Sequence, residues 1–489
     1  MDLFKEENMM EEQQTQEKKL GLIPLVALVV GSIVGGGVFN LMTDMAKEAS
    51  LGGIIIGWLV AGFGMAMLAF SFQNLTAKRP DLDAGIYSYA REGFGKYMGF
   101  NAAWGYWLAA WLGNVAYGTL LFSAVGYFFS IFGDGQNLAS VIGASVMLWL
   151  VHALILKGVE TASIINTVVT IAKMIPLAIF FVTMIIAFKL DVFTTDFWGT
   201  VSGHFELGSV MGQVRGTMLV TVWVFTGIEG AVVFSGRAKK KSDIGKATIL
   251  GLITVIAIYL LTTVLSLAVM TRPELAELKQ PAMAYLLESV VGKWGAVLIN
   301  VGVIVSVLGA WLAWTMFAAE LPFQAAKQGS FPKLFAKENK NGAPINSLIF
   351  TNVLIQIFLF TFLISSAAYK FAFSLASSAI LIPYVFTGFY QLKYSLQEKI
   401  GTPRRTQNIT IGILASIYGV WLVYAGGIDF FLLTMLLFAP GIFIYAWVQK
   451  ENKEKIFTKG EWICAGVIVL LFLFCIYQIA TGAIDVTNL

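Results

Sequence analysis

Charge is the scarcest property of this chain. Asp, Glu, Lys and Arg supply 13% of its 489 residues, against 57% that are hydrophobic, and mean hydropathy is +0.77. A water-soluble domain with that balance would expose large apolar patches and aggregate. Cysteine is nearly absent. Cys464 and Cys475 fall in one predicted helix, about 16 Å apart at 1.5 Å per residue. That is beyond the reach of a disulfide, so cysteine says nothing about compartment. The two histidines, His152 and His204, have no metal-ligand spacing, and neither a metal nor a cofactor is expected. No Ser/His/Asp or Cys/His arrangement and no phosphate-binding loop emerges, so an enzyme is not expected. A cleavable signal peptide is not expected either. The first 17 residues are polar and acidic, and the first apolar run is of full membrane length.

What the chain does have is thirteen hydrophobic segments. Their approximate spans are 20–41, 52–77, 99–130, 138–157, 163–188, 209–236, 249–270, 294–326, 346–364, 368–394, 408–426, 429–448 and 461–482. Apolar runs of this length predict an all-α polytopic membrane protein embedded in the lipid bilayer. Thirteen crossings put the termini on opposite sides. With the N-terminus inside, the inner loops and tail hold 25 Lys and Arg, including Arg237, Lys239, Lys240, Lys241 and Lys246 in one loop. The outer loops hold six: Lys47, Lys189, Arg272, Lys279, Lys293 and Lys370. Lys173 and Arg215 lie within segments. That asymmetry predicts a cytoplasmic N-terminus and an extracytoplasmic C-terminus in a plasma or inner membrane. No nucleic acid partner is expected.

Two segments are interrupted. The first reads Val30-Gly31-Ser32-Ile33-Val34-Gly35-Gly36-Gly37-Val38-Phe39, and the sixth reads Trp223-Val224-Phe225-Thr226-Gly227-Ile228-Glu229-Gly230. Bare backbone at bilayer depth is tolerated only where protein or a watery cavity satisfies it. Breaks five segments apart suggest two five-helix repeats, and an odd number of helices per repeat inverts the second copy. The pair of breaks then meets near the midplane, where a transporter binds its substrate. The expected division is a tail at 1–18, repeats at 19–195 and 208–395, and three additional helices from 408 to 489.

Each candidate residue has a plainer reading beside it. Gly31 and Gly35 form a GxxxG pair that could serve close helix packing alone. A dinucleotide loop is excluded, because no strand precedes the glycines. Unwound, Gly35, Gly36 and Gly37 would offer N–H groups suited to a carboxylate, helped by the half-helix that follows. Glu229 either gates a path or caps the second half-helix. Trp223, too deep for an interfacial belt, could cover a cationic or aliphatic ligand. Lys173 must pair or deprotonate: it is either a proton-coupling group or, the favoured reading, a fixed cation bonded to carbonyls of the broken first segment. Asn114 and Trp314 contact either another helix or a substrate. Glu160 and Glu320, near inner ends, read as structural.

The segments resemble the amino acid–polyamine–organocation superfamily, and within it the basic amino acid/polyamine antiporter family, particularly its arginine/ornithine branch. The likeness runs from about Lys19 to Tyr394. It is carried by Gly31 through Phe39, the loop from Pro80 to Tyr89 with Gly85 and Tyr87, Leu108 to Asn114, Trp223 to Glu229, and Trp314-Thr315 onward to Phe331-Pro332. The resemblance implies the five-plus-five inverted-repeat fold. It also implies that Ser32, Ile33, Gly35, Gly36 and Gly37 hold the amino and carboxylate groups of a substrate. Ile228 and carbonyls around Trp223 and Thr226 would complete that end. Trp223 matches a middle gate, Tyr106, Glu229 and Tyr384 match outer and inner gates, and Ala109, Asn114 and Trp314 match the side-chain pocket. Lys173 resembles the segment-five lysine of many relatives.

In related arginine/agmatine exchangers a methionine lies where Tyr117 stands and a serine lies near Ala376. The nearest hydroxyls here are Ser374, Ser377 and Ser378. The implied activity is exchange of extracellular arginine for intracellular ornithine. Lysine/cadaverine, histidine/histamine, tyrosine/tyramine and agmatine/putrescine stay open as other cargo pairs, with or without proton coupling. A non-transporting amino acid sensor is the alternative of another class. Relatives of this kind can form homodimers.

Overall fold

The computed structural model describes residues 19–200, 202–363 and 375–484. The tail at 1–18, Lys370 and Ser374 lie outside the described residues. Helix α1 (Leu22–Ile33) stops at the glycine run, a short 3-10 turn spans Gly37–Phe39, and the chain resumes as α2 (Leu41–Glu48). Three adjacent glycines carry no side chain to pack and lose the most backbone freedom on ordering, so a helix is weakest there. Next come α3 (Leu51–Lys78), the short α4 (Gly85–Phe94), α5 (Lys96–Gly126), α6 (Leu138–Ile155) and α7 (Val159–Ile186). The second repeat opens with α8 (Leu207–Val224), a turn, and the single-turn α9 (Gly230–Val233). It continues through α10 (Lys241–Ser266), α11 (Ala282–Val291), α12 (Lys293–Lys327), α13 (Ile345–Thr361) and α14 (Leu381–Gln397). Three helices follow: α15 (Arg405–Ala425), α16 (Ile428–Glu451) and α17 (Lys459–Ala480).

Ten helices among the described residues are long and apolar enough to cross a membrane. The two broken segments and the slightly short α13 bring the crossings to the thirteen expected from sequence. The seventh begins at Lys241, eight residues before its apolar run. Its first turns are basic and stay helical, which hydropathy cannot see. The inner half of the sixth segment is shorter than its apolar stretch suggests, one turn of helix before the chain leaves at Ser235.

Four of the five counterpart pairs of the two repeats pack together. Helix α1 touches α9, α3 packs along α10, α5 along α12, and α6 against α13. Each pair is five segments apart, which is what a pseudo-two-fold axis between inverted repeats requires. The α5–α12 pair is the centre of the bundle; 83% of the apolar window of α5 is buried, against 11% for α17 at the periphery. Exposed Trp462, Ile463, Leu470 and Tyr477 on α17 suit a lipid environment.

The end of the bundle that carries the basic loops is tightly cross-linked. The Leu20 N–H donates to the Arg237 carbonyl at 2.9 Å and the Lys239 N–H to the Leu20 carbonyl at 2.8 Å, a small β-bridge joining the entrance of the first segment to the exit of the sixth. Arg237 Nε reaches the buried Glu320 carboxylate at 2.7 Å, and Lys241 pairs with Asp83. Glu320 thus has the structural partner its position called for.

Candidate functional site

The first break is held from outside itself. Lys173 Nζ, fully buried on α7, donates to the carbonyls of Gly31 at 2.8 Å and Val34 at 2.5 Å. Trp314 Nε1 on α12 donates to the Ser32 carbonyl at 3.1 Å. The Tyr259 hydroxyl on α10 lies 3.0 Å from the Ile33 carbonyl, and Ser306 Oγ lies 3.0 Å from both the Val34 and Gly35 carbonyls. Every carbonyl from Gly31 to Gly35 therefore lies within hydrogen-bond distance of a polar side chain on another helix, and Lys173 bonds two of them. The amides behave differently. Among the described residues, the N–H groups of Gly36 and Gly37 have no protein acceptor. The glycines also serve packing. A Cβ on Gly31 would come within 2.5 Å of Thr170 Oγ1, and one on Gly35 within 3.2 Å of the Ala310 Cβ. The packing reading of the GxxxG pair is thus seen directly.

The second break is held mostly by itself. Thr226 Oγ1 donates to the Val222 carbonyl at 2.9 Å and the Gly230 N–H to the Gly227 carbonyl at 2.9 Å. Gly227 has φ +113°, a conformation that a side chain would strain, and its α-carbon faces Ser32 across the site. Ser32 Oγ is 3.3 Å from the Gly227 carbonyl, so the two breaks touch. Glu229 makes no side-chain cap to α9. It accepts a hydrogen bond from the Tyr384 hydroxyl instead, while Tyr384 also receives the Gly227 N–H at 3.4 Å. The capping alternative for Glu229 is not what the geometry shows. Among the described residues the second Glu229 oxygen and the Tyr106 hydroxyl have no partner at full hydrogen-bond geometry, and the Tyr106 ring stacks on Trp314 at 6.2 Å between centroids.

A cavity lies between the breaks. Its wall contains Ser32, Ile33, Gly35, Gly36 and Gly37 from the first break, and Trp223, Val224 and Thr226 from the second. Ala109, Gly113, Tyr117 and Leu120 come from α5, Trp314 from α12, and Ala376 from the start of the tenth crossing. Nine residues singled out in the sequence are thus brought together. Asn114 and Ile228 are not on this wall. Asn114 donates to Thr315 Oγ1 at 3.3 Å, and Ile228 is wholly buried behind the turn. Gly113, Leu120 and Val224 carry no signal in the sequence beyond their neighbours. Tyr117 and Ala376 stood out there only as differences from related exchangers. Tyr106, Glu229 and Tyr384 are not on this wall either; Tyr384 bonds Glu229 and Tyr106 stacks on the wall residue Trp314.

A helical bundle of paired repeats, with two helices unwound face to face around a midplane cavity, is the architecture of a secondary transporter. The particular lineage follows from comparison. Residues 20–472 match the model of the amino acid permease family, and the chain belongs to that family. It is 48% identical to an arginine/ornithine antiporter of Pseudomonas aeruginosa, over 96% of this chain and 99% of that one. It is 46% identical to an arginine/ornithine antiporter of Latilactobacillus sakei, again over 96% and 99%. Identity to an arginine/agmatine antiporter of Chlamydia pneumoniae is 42%, over 96% and 98%. Among solved structures, MhsT in complex with L-phenylalanine aligns with TM-score 0.57 at 12% identity, covering 83% of this chain and 98% of that one. This last likeness concerns the fold alone, and it agrees with the five-plus-five arrangement. The chain is a multi-pass membrane transport protein, not an enzyme.

Proposed function

We propose that the protein exchanges extracellular arginine for intracellular ornithine by alternating access. One observation carries the reading: a cavity whose glycine-rich wall offers unused Gly36 and Gly37 amides, in a chain nearly half identical to antiporters of that pair. The substrate carboxylate meets those amides, whose electropositive end suits an anion. The ammonium meets carbonyls of the two breaks near Ile33 and Thr226, with Ile228 shaping the turn behind them. Trp223 closes over the alkyl chain, giving packing and cation–π contact together. Ala109, Tyr117, Trp314 and Ala376 receive the far end, and Asn114 orders that wall through Thr315. Tyr106, Glu229 and Tyr384 form the inner gate, which must part before cargo leaves. Lys173 stays charged and fixed, replacing a bound ion rather than carrying protons.

The repeats divide at 19–195 and 208–395, with the N-terminus cytoplasmic and the C-terminus outside, as the loop charges favour. The protein resides in the plasma or inner membrane. A homodimer, which the resemblance allows, adds nothing the cycle requires. Exchange of two monocations is electroneutral. Proteoliposomes loaded with ornithine should accumulate labelled arginine by counterflow, empty ones should not, and an imposed proton gradient should leave the rate unchanged. Stronger counterflow from vesicles loaded with agmatine, cadaverine, histamine or tyramine, or uptake driven by protons into empty vesicles, would overturn the assignment.

A further inference from the structure

Tyr259, which belongs to neither break, reaches both. Its hydroxyl is 3.0 Å from the Ile33 carbonyl of the first and 2.7 Å from the Val224 carbonyl of the second. The ring cannot swing away. It is fully buried, packed against Trp58 at 5.6 Å and Phe225 at 5.8 Å between centroids, and Trp58 is itself anchored by a 3.0 Å bond from Nε1 to Thr263 Oγ1. Tyr259 does not line the cavity, whereas Ile33 and Val224 do. It therefore acts through them.

A phenol carries one proton, so at any instant it donates to one of its two acceptors. The shorter bond is to Val224, whose carbonyl has no other donor among the described residues. The Ile33 carbonyl already accepts the Gly35 N–H at 2.9 Å. With the phenol proton committed to Val224, the Ile33 oxygen keeps a lone pair to spare on the cavity wall. An ammonium brings three donors and needs such acceptors at fixed positions.

We infer that Tyr259 is a positioning residue for the ammonium end of the substrate: it locks the Val224 carbonyl and so presets the Ile33 carbonyl opposite it. This rests on the amino acid reading of the cavity.

The test is Tyr259→Phe, which keeps the ring packing and removes only the hydroxyl. Wild-type arginine counterflow is measured first; its absence would remove the amino acid reading and not the role of Tyr259. Three competitors then separate the ends of the substrate. Arginine has ammonium and carboxylate, agmatine keeps the amine and lacks the carboxylate, and argininic acid keeps the carboxylate with a hydroxyl in place of the amine. In Tyr259→Phe, the KM for arginine and the inhibition constant of agmatine should rise about tenfold, the scale of one lost buried hydrogen bond. The inhibition constant of argininic acid and the maximal exchange rate should stay within about twofold of wild type, well inside the effect of one such bond. An equal shift for all three competitors, or a fallen maximal rate at unchanged KM, would show a merely structural role and overturn the proposal. A second variant guards against misfolding. Fluorinated tyrosine installed at position 259 is nearly isosteric and a stronger donor. It should lower the KM for arginine, and an unchanged or raised KM counts against the inference.

Discussion

The two breaks share a position in their repeats but not a construction. In the first, five successive carbonyls each face a polar side chain, Lys173, Trp314, Tyr259 or Ser306, drawn from three other helices. In the second, turns within the stretch satisfy most of the backbone, and the tie to the rest of the protein runs through Tyr259, Ser32 and Tyr384. Trp223 there is only partly buried, and Glu229 faces a tyrosine instead of a cation. The first break is a scaffold that the fold over-determines. The second leans more on its own turns, and it bears the groups to which gating is proposed.

This difference is open to attack by substitution. Lys173→Met should have the largest effect, because it leaves the Gly31 carbonyl buried without a donor, at about 1–3 kcal/mol for that group. Both thermal stability and arginine exchange should be lost, read by melting in detergent and by counterflow. A stable but transport-dead Lys173→Met protein would instead make the first break a moving part. Trp223→Leu should reduce exchange about 100-fold, the loss of both the aromatic contact and the closure it gives. Its melting temperature should fall less than that of Lys173→Met, since the partly buried ring can be replaced by leucine without stranding a buried polar group. Near-normal uptake would take Trp223 out of the cycle. The smallest effect is expected from Ser306→Ala. Val34 keeps Lys173, so only the Gly35 carbonyl loses its donor, for about 1 kcal/mol of stability. Exchange should slow only a few-fold; a loss as severe as that of Trp223→Leu would erase the distinction between the breaks.

Sequence reasoning reaches some of this and not the rest, for physical reasons. Glycine clusters, a carboxylate and a lysine inside apolar runs are each costly where they stand, so Gly35 to Gly37, Glu229 and Lys173 announce themselves. That Lys173 would bond carbonyls follows from the need of any buried ammonium for acceptors. Tyr259 and Ser306 give no such warning. Their apolar bodies or small size fit a membrane helix, and their acceptors lie 226 and 271 residues away in the chain. Only the packing of α10 and α12 against the first break reveals them. Asn114 shows the limit from the other side. An intramembrane amide must find a partner, but which partner is a matter of helix rotation, and rotation turns it to Thr315.

The cavity wall is divided by chemistry as well as by helix. One end is main chain, the amides of Gly36 and Gly37 and the carbonyls opposite them, and the other is side chain, with Tyr117 and Ala376 among its members. Point mutation other than to proline leaves a backbone amide or carbonyl in place, but it can readily replace a tyrosine or an alanine. On the exchange proposed above, selection is therefore free to trade one cargo for another at the far wall while the main-chain end is inherited unchanged.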